Sequence, residues 1–266
     1  MSHTITNFLY ASLFAIIPAI LIMYYVYKRD KFPQDPRVVT ITFVLGFSII
    51  LPLNILIPIT EEIGKIYHHT PNGEFFYRSF IRASFLEETL KFLIIIFYCL
   101  RLNEFNKPLD AIIYGVAASL GFALFENWEY VIGALNNSYS DAVIVAVVRA
   151  FSALILHAIA GIMMGFFIMD AIFDSEHKKL NLTLAILFPV CLHGFYDFII
   201  FSDIDDWWIY VLIIVFIMRV YFIFKQQQKL QEIRNKYIKT LPLNSNVIFS
   251  IFVTFFLLVI SYNLIN

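Results

Sequence analysis

Two adjacent glutamates, Glu87 and Glu88, stand at the start of a strongly apolar run and are followed by Lys91. Charged side chains in hydrocarbon are costly unless they pair, reach water or bind an ion. On a helix, Glu87 and Lys91 are four residues apart and share a face, so they can pair. Glu88 is turned about 100° away and needs another partner. The pattern is typical either of a charge cluster at a helix end or of part of a buried site.

Other polar residues interrupt apolar segments further along the chain and offer such partners. His193 and Asp197 are four residues apart, so on a helix the carboxylate can orient the imidazole. Arg149 is expected to pair with a carboxylate or to reach the interface rather than to take part in chemistry. The candidate catalytic residues are Glu87, Glu88, Glu126, His157, His193 and Asp197.

This set of side chains fits hydrolysis. A buried carboxylate can take a proton from water, and histidines with a further carboxylate can hold a metal ion or stabilise an oxyanion. The same residue types are also typical of a proton- or ion-coupled transporter. Inverted repeats are common in transporters, but no convincing internal repeat is found in this sequence. A non-catalytic membrane receptor or scaffold is the third alternative.

The composition places these residues in a membrane. The 266-residue chain is 60% hydrophobic and 15% charged, with a mean hydropathy of +0.77, whereas soluble domains carry about 25% charged residues. We therefore predict an all-α, polytopic membrane helix bundle surrounded by the lipid bilayer. The net charge of −1 gives no indication of nucleic-acid binding. Cys99 and Cys191 lie in apolar runs without metal-site spacing, so we expect both to be small buried hydrophobes.

Eight apolar segments have about the length that a bilayer requires, roughly 20 residues. The first has no Lys or Arg before it and no small-residue cleavage site, so we expect it to be retained as a helix rather than removed as a signal peptide. The predicted spans are Phe8–Tyr27, Val38–Pro58, Ser84–Leu100, Asp110–Tyr130, Ala142–Ala171, Leu182–Phe201, Trp207–Phe224 and Val247–Leu264.

The basic residues predict the orientation of these spans. Thirteen lysines and arginines fall in the loops on one side, and only Lys65, Arg78 and Arg82 fall on the other. The rich side belongs in the cytoplasm, so both termini are predicted to face outward. With this orientation, all six candidate residues can lie in the outer half of the membrane, which favours one site.

The segment Ile59–Ile81 is too polar to span, and we predict a loop with an interfacial helical piece. Its sequence Glu61-Glu62-Ile63-Gly64-Lys65 repeats the pattern around Glu87, but its solvated neighbourhood favours surface charge. Elsewhere, Gly161 with Gly165 and Gly115 with Ser119 form small-xxx-small pairs, which predict close helix packing.

At the candidate residues the sequence resembles the PrsW family of intramembrane proteases, a relative of the CAAX prenyl endopeptidases and bacteriocin-processing proteins. The matching motifs are Glu87-Glu88-Thr89-Leu90-Lys91 for EExxK, Phe122 to Glu126 for FxxxE, and His193 to Asp197 for HxxxD. The resemblance covers about residues 10 to 220. It divides the chain into a protease core, 1–225, and an addition, 226–266, that comprises a basic cytoplasmic loop and the last helix.

The resemblance implies peptide-bond hydrolysis in or beside the cell (inner) membrane. Proteases of this type cut single-pass anti-sigma factors on the outer side, as the first step of regulated proteolysis in stress signalling. The family is usually regarded as a metalloprotease, which implies a divalent metal such as zinc held by Glu126, His157 and His193. The CAAX enzymes carry His where this chain has Glu126, so a metal-free glutamate–histidine mechanism stays open, and no HExxH motif is present to decide between them.

Overall fold

Apolar segments of helical length become helices throughout the described part of the chain. The computed structural model describes residues 2–67, 69–173, 176–202, 204–205 and 207–233, and these residues contain no strand. The α-helices are α1 (Ser2–Lys28), α2 (Pro36–Phe47), α3 (Ile50–Gly64), α4 (Pro71–Phe76), α5 (Leu86–Phe97), α6 (Pro108–Leu135), α7 (Tyr139–Phe151), α8 (Ala153–Phe173), α9 (Lys178–Phe201) and α10 (Trp207–Ile233). A π-helical segment, Tyr77–Phe85, joins α4 to α5, and a 3-10 turn, Cys99–Arg101, follows α5.

Six of these helices or helix pairs are long and apolar enough to cross a membrane. They confirm the predicted all-α membrane bundle, although they do not confirm the count of eight spans. The third predicted span corresponds to the π-helical segment and α5, and α5 alone has 12 residues, fewer than the roughly 20 that a bilayer requires. The eighth, Val247–Leu264, lies outside the described residues. The six candidate spans are Thr4–Lys28, Pro36–Gly64, Pro108–Leu135, Tyr139–Phe173, Lys178–Phe201 and Trp207–Gln227.

The predicted loop at Ile59–Ile81 is wrong in extent, because most of this interval is helical. α3 continues to Gly64, and a new helix begins after a short turn. Thr70 caps that helix by accepting a hydrogen bond from the Gly73 N–H at 3.1 Å, and Pro71 occupies the first turn, where its missing N–H costs nothing. The helical path that leads into Glu87 therefore starts well before the predicted Ser84.

Helix α6 is the centre of the bundle and is buried along nearly its whole length. Its small residues set the distances to its neighbours. Gly115 lies directly against the Gly161 backbone of α8, and Gly165 lies against Ala111. On another face, Gly121 lies against the Phe43 backbone of α2. The predicted close packing at the small-xxx-small pairs is confirmed.

The start of α6 is fixed by a buried carboxylate. Asp110 Oδ2 accepts hydrogen bonds from the backbone N–H groups of Asn106 at 2.9 Å and Lys107 at 2.7 Å. Gln34, in the connection between α1 and α2, donates to the other oxygen of Asp110. Lys107 Nζ donates to the Phe32 carbonyl at 2.6 Å. These bonds fix the axial position of α6, and with it the depth of Glu126.

The cysteines and the C-terminal region complete the comparison with the predicted fold. Cys99 is buried as expected, but Cys191 of α9 is exposed on the surface of the bundle. Helix α10 continues to Ile233, past the predicted core boundary at residue 225. The remainder of the predicted C-terminal addition, residues 234–266, lies outside the described residues.

A glycine-to-alanine pair tests the packing of α6 against α8. An alanine Cβ at Gly161 would collide with the carbonyl oxygen of Gly115, whereas at Gly133 it would meet nothing within 4 Å. We expect Gly161→Ala to destabilise the fold by about 1–3 kcal/mol. Gly133→Ala should be neutral or stabilising by up to ~1 kcal/mol, because alanine favours helix more than glycine. Thermal unfolding of both variants in the same detergent measures the difference, and equal melting temperatures would contradict the packing.

Candidate active site

The six candidate residues meet in one connected polar cluster inside the bundle. Glu87 and Glu88 lie in the first turn of α5, Glu126 on α6, His157 on α8, and His193 with Asp197 on α9. Each residue in the set contacts another member or Lys91. The structure thus brings all six together, while their individual roles stay predictions.

Lys91 is the buried cation of the cluster. Its Nζ lies 2.8 Å from Glu88 Oε1 and 3.7 Å from Glu87 Oε2, and it lies 4.5 Å from the ring centroid of Phe122. The sequence predicted the pair with Glu87, but the shorter contact is with Glu88. Residues three and four apart both face a helical lysine, so spacing alone does not decide between them. The ammonium group compensates the charge of a carboxylate that is 0% exposed.

His193 lies between two carboxylates. Its Nδ1 is 3.0 Å from Glu88 Oε1, and its Nε2 is 3.4 Å from Asp197 Oδ2. The predicted pairing of His193 with Asp197 is therefore present. His193 Nδ1 donates a hydrogen bond to Glu88 Oε1, while Asp197 makes a close ionic contact with the opposite nitrogen.

His157 repeats this arrangement on the neighbouring helix. Its Nε2 is 3.0 Å from Glu126 Oε2, and its Nδ1 is 3.2 Å from Lys91 Nζ. An ammonium group only donates hydrogen bonds, so Nδ1 accepts and the proton on Nε2 points to Glu126. The rings of His157 and His193 lie 4.8 Å apart. Both histidines thus have a carboxylate behind Nε2 and direct Nδ1 toward the Glu88–Lys91 pair.

Glu126 is itself held by residues to which the sequence did not assign a site role. Arg149 Nη2 lies 2.8 Å from Glu126 Oε2, and Arg149 Nε donates to Asn127 Oδ1 at 3.1 Å. Asn127 in turn donates to the Ala15 carbonyl of α1 at 2.7 Å. Of the two expectations for Arg149, the pairing with a carboxylate is the one observed. The signal in the sequence that indicates Asn127 is its position: a polar residue directly after Glu126 within an apolar segment.

The donor atoms of this cluster fit a metal ion. Glu87, Glu88, His157 and His193 are buried, and each offers one ligand atom within 4.8 Å of the others. Within the described part of the chain, Glu87 Oε2 and Glu88 Oε2 are buried without a hydrogen-bond partner. Two imidazoles and two carboxylates form a nitrogen and oxygen donor set of the kind that holds catalytic zinc. The predicted ligands His157 and His193 belong to this group, whereas Glu126 lies behind His157.

A cavity of about 780 Å³ leads to the cluster. Glu87, Glu126 and Asp197 line it, and Arg78 and Arg82 also belong to its wall. Glu88 does not line it and is fully buried. The cavity therefore gives water a route to Glu87 but not directly to Glu88.

The second copy of the glutamate pair lies on the surface, as predicted. Glu62 and Lys65 pair at 2.5 Å with side chains 73% and 66% exposed. Glu61 pairs with Arg82 at 2.7 Å and is also well exposed. Exposed pairs of this kind contribute at most about 1 kcal/mol. Glu62 therefore offers a matched control for substitutions at Glu87 and Glu88.

Comparison with known proteins shows the family of the chain. The family model for "PrsW family intramembrane metalloprotease" matches residues 34–223. The curated protein Protease PrsW of Bacillus subtilis is 33% identical over 199 residues, which cover 74% of this chain and 85% of that protein. Protease PrsW of Clostridioides difficile is 32% identical over 209 residues, covering 77% and 84%. The chain belongs to the PrsW family.

Family membership makes the protein a multi-pass membrane peptidase and resolves the choice between hydrolysis and transport in favour of hydrolysis. The family description as a metalloprotease agrees with the four-residue donor group. No solved structure matches the chain. The relation of the cluster to catalysis therefore rests on its own geometry.

The carboxylates behind the two histidines give a quantitative prediction. Glu126→Gln and Asp197→Asn should each lower metal affinity or activity roughly 10- to 100-fold, because such partners orient ligating imidazoles. His157→Ala and His193→Ala should abolish activity. Metal content and peptide cleavage of each purified variant measure this ranking. Wild-type values in both carboxamide variants would show that Glu126 and Asp197 do not support the histidines.

Proposed function

We propose that this protein is an intramembrane endopeptidase that cuts a single-pass, anti-sigma-factor-like membrane protein on or near the extracytoplasmic side of the cell membrane. The cut would be the first step of regulated proteolysis in a stress response. The observation that carries the hydrolytic proposal is the Oε2 of Glu87, which lacks a hydrogen bond and is buried near two histidines in the wall of a cavity.

Glu87 is the proposed general base. Its Oε2 lies 3.8 Å from His193 Nδ1 and 3.7 Å from Lys91 Nζ, without a hydrogen bond to either. The carboxylate is therefore able to accept the proton of a water molecule that enters the cavity. Glu88 is less suited to this role, because Lys91 and His193 already bond its Oε1 and because it does not reach the cavity.

The metal ligands proposed here are Glu88, His157 and His193. When bound there, a divalent ion such as zinc would acidify the attacking water and polarise the scissile carbonyl. The protein directs Nδ1 of both histidines toward Glu88 and Lys91. The His157 proton lies on Nε2, facing Glu126. His193 Nδ1 donates to Glu88 Oε1, so His193 would have to give up that proton to bind a metal ion through Nδ1. Lys91 contacts Glu88 Oε1 and His157 Nδ1, so its ammonium competes with a cation for two of these donors. In the metal-free alternative, His193 would stabilise the oxyanion.

The proposed side of the membrane follows from charge distribution and helix direction. The basic loops assign the starts of α6 and α9 to the cytoplasm. Glu126 lies in the last third of α6, and His193 lies beyond the middle of α9. Glu87 and Glu88 lie in the first turn of α5, and His157 lies near the middle of the span Tyr139–Phe173. The positions of Glu126 and His193 support a site in the outer half of the bilayer, and that of His157 places the site no deeper than about the midplane.

A cleavage assay tests the proposed reaction. The full chain is reconstituted with single-pass anti-sigma-factor proteins, and their fragments are detected by mass spectrometry. We expect Glu87→Gln, Glu88→Ala and His193→Ala to abolish cleavage, because each removes a member of the proposed centre. Glu62→Gln should cleave like the wild type.

The same assay examines metal dependence and substrate class. A chelator should stop cleavage, and zinc should restore it. Cleavage retained in both Glu88→Ala and His193→Ala would contradict the proposed centre. Cleavage of cytoplasmic juxtamembrane sites alone would contradict the extracytoplasmic substrate.

Cysteine labelling tests the orientation independently. In a chain whose two native cysteines are replaced by alanine, Asn136→Cys lies after α6 and Asn103→Cys lies between α5 and α6, both exposed. A membrane-impermeant thiol reagent applied to intact spheroplasts should label Asn136→Cys only. Asn103→Cys should react only after permeabilisation. The reverse pattern would place the site toward the cytoplasm.

A further inference from the structure

A second cavity, separate from the active-site cluster, lies between α1, α8 and α10. It encloses about 500 Å³. Its walls are aliphatic over most of their length, with Ile22 and Val26 from α1, Ile155 and Ile159 from α8, and Ile217 and Val220 from α10. α1 and α10 lie at the edge of the bundle and expose apolar side chains. The groove is therefore an apolar slot at the lipid-facing surface.

One end of this groove is basic and aromatic. Each of the two helices brings a tyrosine and, one turn later, a basic residue to the cavity wall. These are Tyr25 and Arg29 at the end of α1, and Tyr221 and Lys225 on α10. The Arg29 guanidinium lies 4.7 Å from the Tyr25 ring centroid and donates to its hydroxyl at 2.5 Å. Lys225 Nζ lies 5.8 Å from the Tyr221 ring centroid. Two cations held above tyrosine rings thus stand where the apolar slot ends.

We propose that this groove binds an anionic phospholipid of the leaflet that faces the basic loops. The acyl chain would lie along the aliphatic walls, and the phosphate would lie between Arg29 and Lys225. Basic pockets between membrane helices on the cytoplasmic side recognise anionic headgroups, while each buried methylene contributes about 0.8 kcal/mol. Charge complementarity at one end and apolar walls along the rest match a lipid better than a peptide or a soluble anion.

Lipid retention by the full chain tests the proposal. The wild type is purified from nanodiscs of phosphatidylcholine with a minor fraction of phosphatidylglycerol, and the retained lipids are quantified by mass spectrometry. We expect enrichment of phosphatidylglycerol over phosphatidylcholine. Arg29→Gln/Lys225→Gln should weaken phosphatidylglycerol binding about 25-fold, since each basic residue near an anionic headgroup is worth about 1 kcal/mol. Arg101→Gln/Lys179→Gln removes two exposed cations from the same predicted side without touching the groove and should keep the enrichment.

A second substitution tests the groove itself without altering charge. Ile217 is a partly exposed residue of the α10 wall, and a tryptophan there would fill the slot. Ile214 is on the same helix but does not line the cavity, so Ile214→Trp is the matched control. Ile217→Trp should lose the bound lipid and Ile214→Trp should retain it, with thermal unfolding as the check of folding. Lipid retained by Ile217→Trp, or no phosphatidylglycerol enrichment in the wild type, would overturn the proposal. The latter result would also be expected if the chain's own apolar residues 247–264 occupied the groove.

Discussion

The buried pair of Lys91 and Glu88 is the constraint on which the rest of the site depends. Both side chains are 0% exposed, and an uncompensated charge at this position would cost several kcal/mol. The pair alone does not satisfy either partner, because Lys91 has further donors and Glu88 has a second oxygen. His157, His193 and Glu87 complete the surroundings. A buried ion pair of this kind often stabilises a fold less than apolar residues of the same volume would. Its presence is explained by a site that needs several fixed hydrogen-bond and metal donors at one place.

Close helix packing makes that arrangement possible. The contacts of Gly115 with Gly161 and of Gly165 with Ala111 bring α6 and α8 together along their length. His157 lies one turn before Gly161, so the same packing sets the distance from His157 to Glu126 on α6. The Asp110 bonds at the start of α6 fix its axial position. The site therefore depends on backbone contacts that contain no catalytic residue.

The sequence predicts those parts of this structure that are local along a helix. The i, i+4 spacing of His193 and Asp197 predicts their contact, and the apolar segments predict most spans. The choice of Lys91 between Glu87 and Glu88, and the position of Glu126 behind His157, depend on how helices are rotated about their axes relative to one another. A spacing rule within one helix contains no information on that rotation. The sequence predicts a helical piece within Ile59–Ile81 but not its bounds or its continuity with the next span, because the polar residues of Tyr77–Phe85 obscure the apolar pattern.

We propose that Nδ1 of His157 and of His193 face a common metal position, with Glu126 and Asp197 behind them. Anomalous X-ray diffraction from crystals of the zinc-loaded, proteolytically active chain tests this proposal. We expect one anomalous peak within bonding distance of both Nδ1 atoms and the Glu88 carboxylate, with Lys91 displaced from at least one of these donors. An active protein with no peak there, or with a peak on His157 Nε2 and Glu126, would contradict it.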